Sequence, residues 1–306
     1  MRYQRIDLNL LVALDILLAE RKVIRAAERL HITQSAASGI LARLRDYFED
    51  PLLVQTGRNM QLTPLAESLV DPVRDIIARI DSAVALRPAF DPSEAKRHFV
   101  IITSDYVSRV LMADVLQRIS GLAPDVSFEL RPASPSMVRD VEQGTVDLLI
   151  TPPHLASADH PHARLFDDTY TVVAWDQNPL CKKGLTLDVY RSAGHVAYRY
   201  GRGDNPWFEQ WYANQHAETR RIEVVTHDFN LMSRFVLGTN RLATVQTRLA
   251  MQFEESMPVR LFPLPMPTPR LVEVLQWHKY RGTDPGCLWL REQIIETARQ
   301  LPVIAD

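Results

Sequence analysis

Near the start of the chain, apolar residues recur every three or four positions, a pattern that predicts helices. Over residues 5–20, Leu8, Leu11, Val12, Leu14, Leu17 and Leu18 mark a long helix that could brace those that follow. A shorter helix over 23–30 would press Ala26, Ala27 and Leu30 against a core, and side chains as small as alanine let another helix come close. His31 and Ile32 supply a tight turn, and Thr33 is a good N-cap for a helix opening at Gln34. In that helix Ala37, Ile40, Leu41 and Leu44 form the buried stripe, leaving Gln34, Ser35, Ser38 and Arg43 on other faces. A helix-turn-helix needs this arrangement, because exposed residues early in its second helix must reach base edges in the major groove. An ordinary helical hairpin needs only the stripe, so the flanking sequence has to decide.

The flanks favour DNA binding. PLLVQTGRNMQLTP alternates apolar and polar residues about Gly57-Arg58-Asn59, as a two-stranded hairpin does. A hairpin in this place is a wing, with Arg58 at its tip set for a minor groove or a phosphate. Thr63-Pro64 then reads as N-cap and first residue of a helix carrying Leu65, Leu69, Val73, Ile76, Ile80 and Val84. Pro72 should bend that helix without abolishing it. Such a helix would pair with a second copy, or else bury its stripe within one chain. The expected divisions are 1–63 for the DNA-binding domain, 64–87 for a linker and dimerisation helix, and 88–98 for a hinge. There RPAFDPSEAKRH breaks the pattern with prolines and charges.

Beyond the hinge the period changes. HFVIITSD, VSFELRP and VDLLITPP read as strands, separated by a helix through Val107, Leu111, Val115, Leu116 and Ile119 and by SMVRDVEQG, which ends at Gly144. That alternation implies a parallel sheet with helices on its faces. TYTVVAWD begins a second unit, continued by HVAYRY, FEQWYANQ, RIEVVT, DFNLMSRFVLG and RLATVQ; PRLVEVLQWHK and the helix GCLWLREQIIETARQL return to the first. The expected fold is an N-terminal all-α winged helix-turn-helix plus an α/β bilobal, periplasmic-binding-protein-like effector domain. Lobe I would hold 99–165 and 266–306, and lobe II 166–265.

A cleft between lobes is the natural ligand site, since strand carboxyl ends and helix N-termini present free N–H groups there. Lobe I offers Thr103-Ser104-Asp105, Ser134-Pro135-Ser136 and Thr151-Pro152. Lobe II offers Tyr198 and Arg202 after one strand and His227, Phe229 and Asn230 after another. Hydroxyls with helix N-termini suit a carboxylate or phenolate, while Tyr198, Phe229 and His227 suit an aromatic ring. Ser104, Ser134 and Ser136 would serve equally as N-caps, Asp105 would oppose an anion, and His227 could bond within its own lobe.

Composition narrows the choice. A chain of 306 residues, 46% hydrophobic, can build two or more cores. The net charge of −2 excludes a generally basic nucleic-acid coat, although residues 1–60 carry nine basic and seven acidic side chains. DNA affinity would then rest on a few placed contacts, doubled by dimerisation. Cys181 and Cys287 lack metal-ligand spacing and read as reduced packing residues. No signal-peptide pattern precedes the first helix and no apolar run is long enough to span a membrane, so a cytoplasmic location is expected. GRGDNP at 201–206 matches an adhesion peptide only over a length where chance suffices. There is no G-x-S-x-G, H-E-x-x-H, P-loop or G-x-G-x-x-G. Neither a metal nor a cofactor is expected, and an enzyme is disfavoured. The rivals are a serine hydrolase using Ser104 with His227 and a bilobal solute-binding protein, the latter undercut by the winged domain and the missing signal peptide.

From RIDLNLLVALDILL through AAERLHITQSAASGILARLR and DPLLVQTGRNMQLTP to the linker helix, the chain resembles the LysR-type transcriptional regulators. Its opening and VLQWHKYRGTDPGCLWLRE are similar to the subgroup of nodulation regulators and regulators of naphthalene, nitroaromatic and chloroaromatic degradation. The resemblance implies a homodimer or homotetramer on double-stranded DNA, at a promoter inverted repeat with T…A half-sites. Thr33, Gln34, Ser35, Ser38, Gly39, Arg43 and Arg58 would make the contacts. A small aromatic, phenolic or carboxylate inducer is expected in the cleft, where the strand ends would bring it against Thr103, Ser104, Ser134, Thr151, Tyr198, Arg202, His227, Phe229 and Asn230. Binding would alter the DNA bend and the access of RNA polymerase, as an activator more often than a repressor. Where many members carry Arg or Ala after the recognition-helix serine, this chain has Gly39, and Ala37 stands where a larger residue is common. The base preference is therefore less transferable than the fold.

Overall fold

The computed structural model describes residues 7–56, 59–84, 90–199, 207–215 and 220–304, and the chain divides into two compact units at 87/88. The first unit runs α1 (Leu8–Glu20), α2 (Val23–Leu30), α3 (Gln34–Phe48), β1 (Leu53–Thr56), β2 (Asn59–Leu62) and α4 (Pro64–Val84). Each boundary has a local cause. The Asp7 carboxylate accepts from Asn9 N and caps α1, while His31 enters the left-handed region at φ 56° and closes α2. Thr33 Oγ1 accepts from Ala36 N and opens α3. Ala26 and Ala37 are wholly buried, so the absence of bulk is what lets these helices meet around Leu14, Leu17 and Leu44.

The wing is fastened to α3 from below. Arg45 donates from Nε to Pro51 O at 2.7 Å and from Nη2 to Leu53 O at 2.9 Å. Asp50 Oδ1 accepts from Leu52 N and from Thr63 Oγ1, and Thr63 in turn caps α4 at Ala66 N. β1 and β2 pair antiparallel from Leu53↔Leu62 to Thr56↔Asn59. Helix α4 continues through Pro72, with Leu69, Val73 and Ile77 turned onto the core and Leu65 and Ile76 exposed. Arg74 Nε ties it to Asp15 of α1 at 3.0 Å.

The second unit begins with β3 (His98–Thr103), α5 (Asp105–Val107), a π turn at Ser108–Met112 and α6 (Ala113–Ser120). Next come β4 (Ser127–Pro132), α7 (Met137–Glu142), β5 (Leu148–Thr151), β6 (His162–Asp168), β7 (Tyr170–Trp175), α8 (Leu187–Ser192) and β8 (Gly194–Tyr198). The chain ends through α9 (Trp207–Gln215), β9 (Arg221–Thr226), α10 (Phe229–Met232), β10 (Leu242–Gln246), α11 (Thr247–Ser256), β11 (Val259–Pro263), β12 (Leu271–Gln276) and α12 (Pro285–Arg299). One sheet has the order β4-β3-β5-β12-β6 and the other β11-β7-β10-β8-β9, so the two predicted lobes are present, each with five strands where the pattern gave four.

Three details differ from the sequence reading. β6, α8, α11 and β11 were not anticipated, and β6 belongs wholly to the first sheet, where it pairs with β12. The chain therefore crosses between sheets after Asp168, not at the 165/166 division. DFNLMSRFVLG forms only the short helix α10 and then turns, ending at Gly238 with φ +68°. The sheets are mixed: β12 runs antiparallel to both its neighbours, because the chain enters it from the other lobe and not through a local crossover helix.

Candidate functional site

In the first unit, Thr33, Gln34, Ser35, Ser38, Gly39 and Arg43 are all exposed, and Ala37, Leu41 and Leu44 are buried behind them. The polar start of α3 is thus a free surface held rigid by a capped terminus and a packed stripe. Its first-turn N–H groups and Arg43 offer donors to an anion. Gly39 is exposed and a Cβ there would meet nothing within 4 Å, so its lack of a side chain is no packing requirement. Gly39→Ala should raise stability by up to about 1 kcal/mol, seen as a higher denaturant midpoint for the full chain. A lowered midpoint would show that the backbone at Gly39 is not ordinary helix. Arg58, expected at the wing tip, lies outside the described residues.

In the second unit, two cavities lie where the lobes face each other. The larger, about 430 Å³, is walled by Thr103, Asp105, Ser108, Arg109, Leu130, Arg131, Pro132 and, from the other lobe, Asn230. The smaller, about 50 Å³, is walled by residues that include Ser104, Tyr106, Thr151, Tyr170, Phe229, Gln246 and Glu273. Neighbours in sequence alternate between the two: Thr103 and Asp105 face the larger, Ser104 and Tyr106 the smaller. Between them the lobes are joined. Asn230 donates to Asp105 Oδ2 from its backbone N at 3.2 Å and from Nδ2 at 3.0 Å, and its Oδ1 accepts from Arg109 Nη1 at 3.2 Å. Burial, with Asp228 beside it, pushes the Asp105 carboxyl up to about 6.

The smaller cavity has a polar end without partners. Glu273 is buried, its Oε2 meets no hydrogen-bond partner among the described residues, and neither does Gln246 Oε1. Burial first, and the Asp168 charge second, push the Glu273 carboxyl up to about 8, which leaves it protonated at neutral pH. Beside it Tyr106 donates its hydroxyl to Asp168 Oδ2 at 2.6 Å. Among the residues lining this cavity there is no lysine or arginine.

Several expected ligand residues stand elsewhere. Thr103, Ser104, Thr151, Phe229 and Asn230 line one cavity or the other, with Ser104 also capping Val107 N. Tyr198 closes β8 with its ring buried and stacked on Phe229, centroids 3.7 Å apart, so it lines neither cavity and one face of each ring is already used. His227 is exposed and its Nδ1 sits 2.6 Å from Arg199 O, the intralobe bond that was its alternative. Ser134 is spent on Ser136, whose hydroxyl donates to Asp140 and caps no helix. Arg202 lies outside the described residues. Tyr106, Tyr170, Gln246 and Glu273 also line the smaller cavity and are not among the residues expected from the sequence. A carboxylate inside the apolar run LVEVL was the available signal for Glu273, and Gln246 obeys the strand-end rule already applied to other strands.

Two family models match the chain: one described as "Bacterial regulatory helix-turn-helix protein, lysR family" over residues 8–67, and one as "LysR substrate binding domain" over 92–299. The chain is 40% identical over 301 residues to Nodulation protein D of Bradyrhizobium sp. (strain ANU 289), covering 98% of this chain and 89% of that one. Its structure is similar to a probable transcriptional regulator, PA0477, of Pseudomonas aeruginosa, with TM-score 0.65, 26% identity and 99% of both chains covered. Full-length CbnR complexed with its target DNA shares the fold at TM-score 0.51 and 14% identity, over 96% of this chain and 100% of that one.

Proposed function

Because the chain belongs to the LysR family of DNA-binding transcriptional regulators, we propose that its bilobal domain binds a small aromatic or phenolic inducer in the interlobe cleft and thereby controls promoter DNA held by its first unit. The observation carrying this reading is the joint presence of an exposed, capped helix start at Gln34, Ser35, Ser38 and Arg43 and of interlobe cavities reached by Ser104 and Thr151. Two copies would set two recognition helices on an inverted repeat, with the wings at the flanks, and the exposed Leu65 and Ile76 of α4 offer apolar surface for pairing. A tetramer, activation through RNA polymerase and a cytoplasmic location complete the proposal. No helix among the described residues is long and apolar enough to cross a membrane.

Ligand control needs unequal affinity for two lobe arrangements, since binding both equally shifts nothing. The Asp105–Asn230 contact is what such a ligand would have to keep or break. Ser104→Ala and Thr151→Val should change inducer dose-response in a reporter strain by about tenfold while operator affinity in gel shift stays within about twofold. If a folded cleft variant lost operator binding altogether, the assignment of separate roles to the two units would be wrong.

A further inference from the structure

Glu273 and Gln246 each carry a buried oxygen without a partner among the described residues, in a place where partners matter. Both are buried, both line the smaller interlobe cavity, and each carries an oxygen that no described residue satisfies. Buried acceptors are seldom left unpaired, so two among the residues of one cavity wall point to a ligand group that bonds them. The rest of the wall sets the class of that group. Tyr170 and Phe229 supply aromatic surface, Ile150, Leu155 and Leu271 aliphatic surface, and no basic side chain is among the lining residues.

Building on the reading of the cleft as an effector site, we propose that Glu273 and Gln246 are its specificity-determining residues, selecting an uncharged ligand through a hydroxyl and rejecting a carboxylate. The hydroxyl donates to Gln246 Oε1 and meets the neutral carboxyl of Glu273, which serves as donor. A carboxylate in the same place would set its charge against Gln246 Oε1 and near the Asp168 charge, with no cation among the lining residues to pair it, and unpaired buried charge is the costliest of burials. Size agrees with a polar end only. An apolar cavity that takes benzene measures roughly 150 Å³, so one of about 50 Å³ holds a hydroxyl and its adjoining atoms while the ring lies in the cleft beyond.

The neighbours of Glu273 fix which carboxyl keeps the proton. Burial pushes the Asp168 carboxyl on β6 up as well, but it accepts from Tyr106 of α5, from Thr169 N and from Arg248 N of α11, donors that favour its charged form. The Arg248 guanidinium is turned away, donating to Pro302 O and Asp167 O. Glu273 has no such donors and feels the Asp168 charge, so the proton stays on Glu273. Its folded value of about 8 exceeds the ordinary 4.5, so the native chain holds a proton that the unfolded chain has released between those values. Stability falls as pH rises from about 4.5 to about 8 and is level above that.

The test uses the full chain and two probes that differ in one group, 4-phenylphenol and 4-phenylbenzoate, by calorimetric titration from pH 6 to 9. The phenol should bind at least about 30-fold tighter than the benzoate at pH 7, and its affinity should fall about tenfold per pH unit once Glu273 ionises. Glu273→Gln should bind the phenol with a flat profile over that range, and Gln246→Leu should weaken it about tenfold. The melting temperature of Glu273→Gln should gain on the parent as pH rises towards 8, a readout independent of any ligand. Benzoate binding as tightly as phenol, or identical pH profiles for parent and Glu273→Gln, overturns the inference alone. If neither probe binds a folded protein, the aromatic-effector reading falls and takes this inference with it.

Discussion

Gln34→Ala should lower operator affinity by at least about 30-fold at fixed salt, with the helix content of the chain unchanged. Gln34 is the first residue of α3, exposed, and held behind a Thr33 cap that does not involve its side chain. On the proposed reading a side chain in that position reads a base edge, and a good bidentate contact discriminates by about 1–3 kcal/mol. A two-fold symmetric assembly loses the contact twice, giving about 2–6 kcal/mol in all. The loss should be confined to operator DNA, leaving affinity for random duplex nearly unchanged. Arg43→Ala should behave differently, weakening binding to all sequences and lowering the salt slope by about 1 for each copy in contact. Fluorescence anisotropy against operator and random duplexes at several salt concentrations separates the two. Equal losses on both duplexes for Gln34→Ala would mean that α3 lies across the phosphates and not in the groove.

Glu209→Ala should cost the effector unit about 3–5 kcal/mol, the largest single stability loss expected of a polar side chain here. The reason is Arg220. Its side chain is 1% exposed, paired with Glu209 of α9, and donates from Nη1 to the Tyr190 hydroxyl at 2.8 Å. Its guanidinium lies 4.9 Å from the Tyr212 ring centroid and 5.0 Å from that of Phe208. Removing the carboxylate leaves a cation that cannot reach water without displacing the Phe208 and Tyr212 rings of α9 packed around it, whereas a removed surface charge would cost almost nothing. Glu209→Gln, which keeps an acceptor, should recover part of the loss. Calorimetric unfolding of the full chain checks this; a loss under about 1 kcal/mol would mean that Arg220 relaxes into solvent.

Most of the first unit was legible because its structure is local. Caps at Thr33 and Thr63, the small residues at Ala26 and Ala37 and the period of Leu41 and Leu44 each specify their own few turns, and the structure agrees at every one. The cleft was legible only in outline. The strand-end rule found Thr103, Ser104 and Thr151 because it follows from sheet topology. It also proposed Ser134 and His227, which take local partners, and Tyr198, whose ring is stacked on Phe229. Nothing in their immediate sequence distinguishes a hydroxyl or ring that faces a cavity from one already satisfied.

By itself the sequence determined the helix-turn-helix and wing, the two-lobed α/β plan and the family, since periodicity, caps and turns act over a few residues. Only the tertiary structure decided that Asp105 and Asn230, 125 positions apart, join the lobes between two cavities. It also decided that Glu273 and Gln246 share one wall. The physical reason is that burial and charge are set by whichever side chains packing brings together. A carboxyl in LVEVL keeps its proton because of burial and of Asp168, which is not near it in the chain.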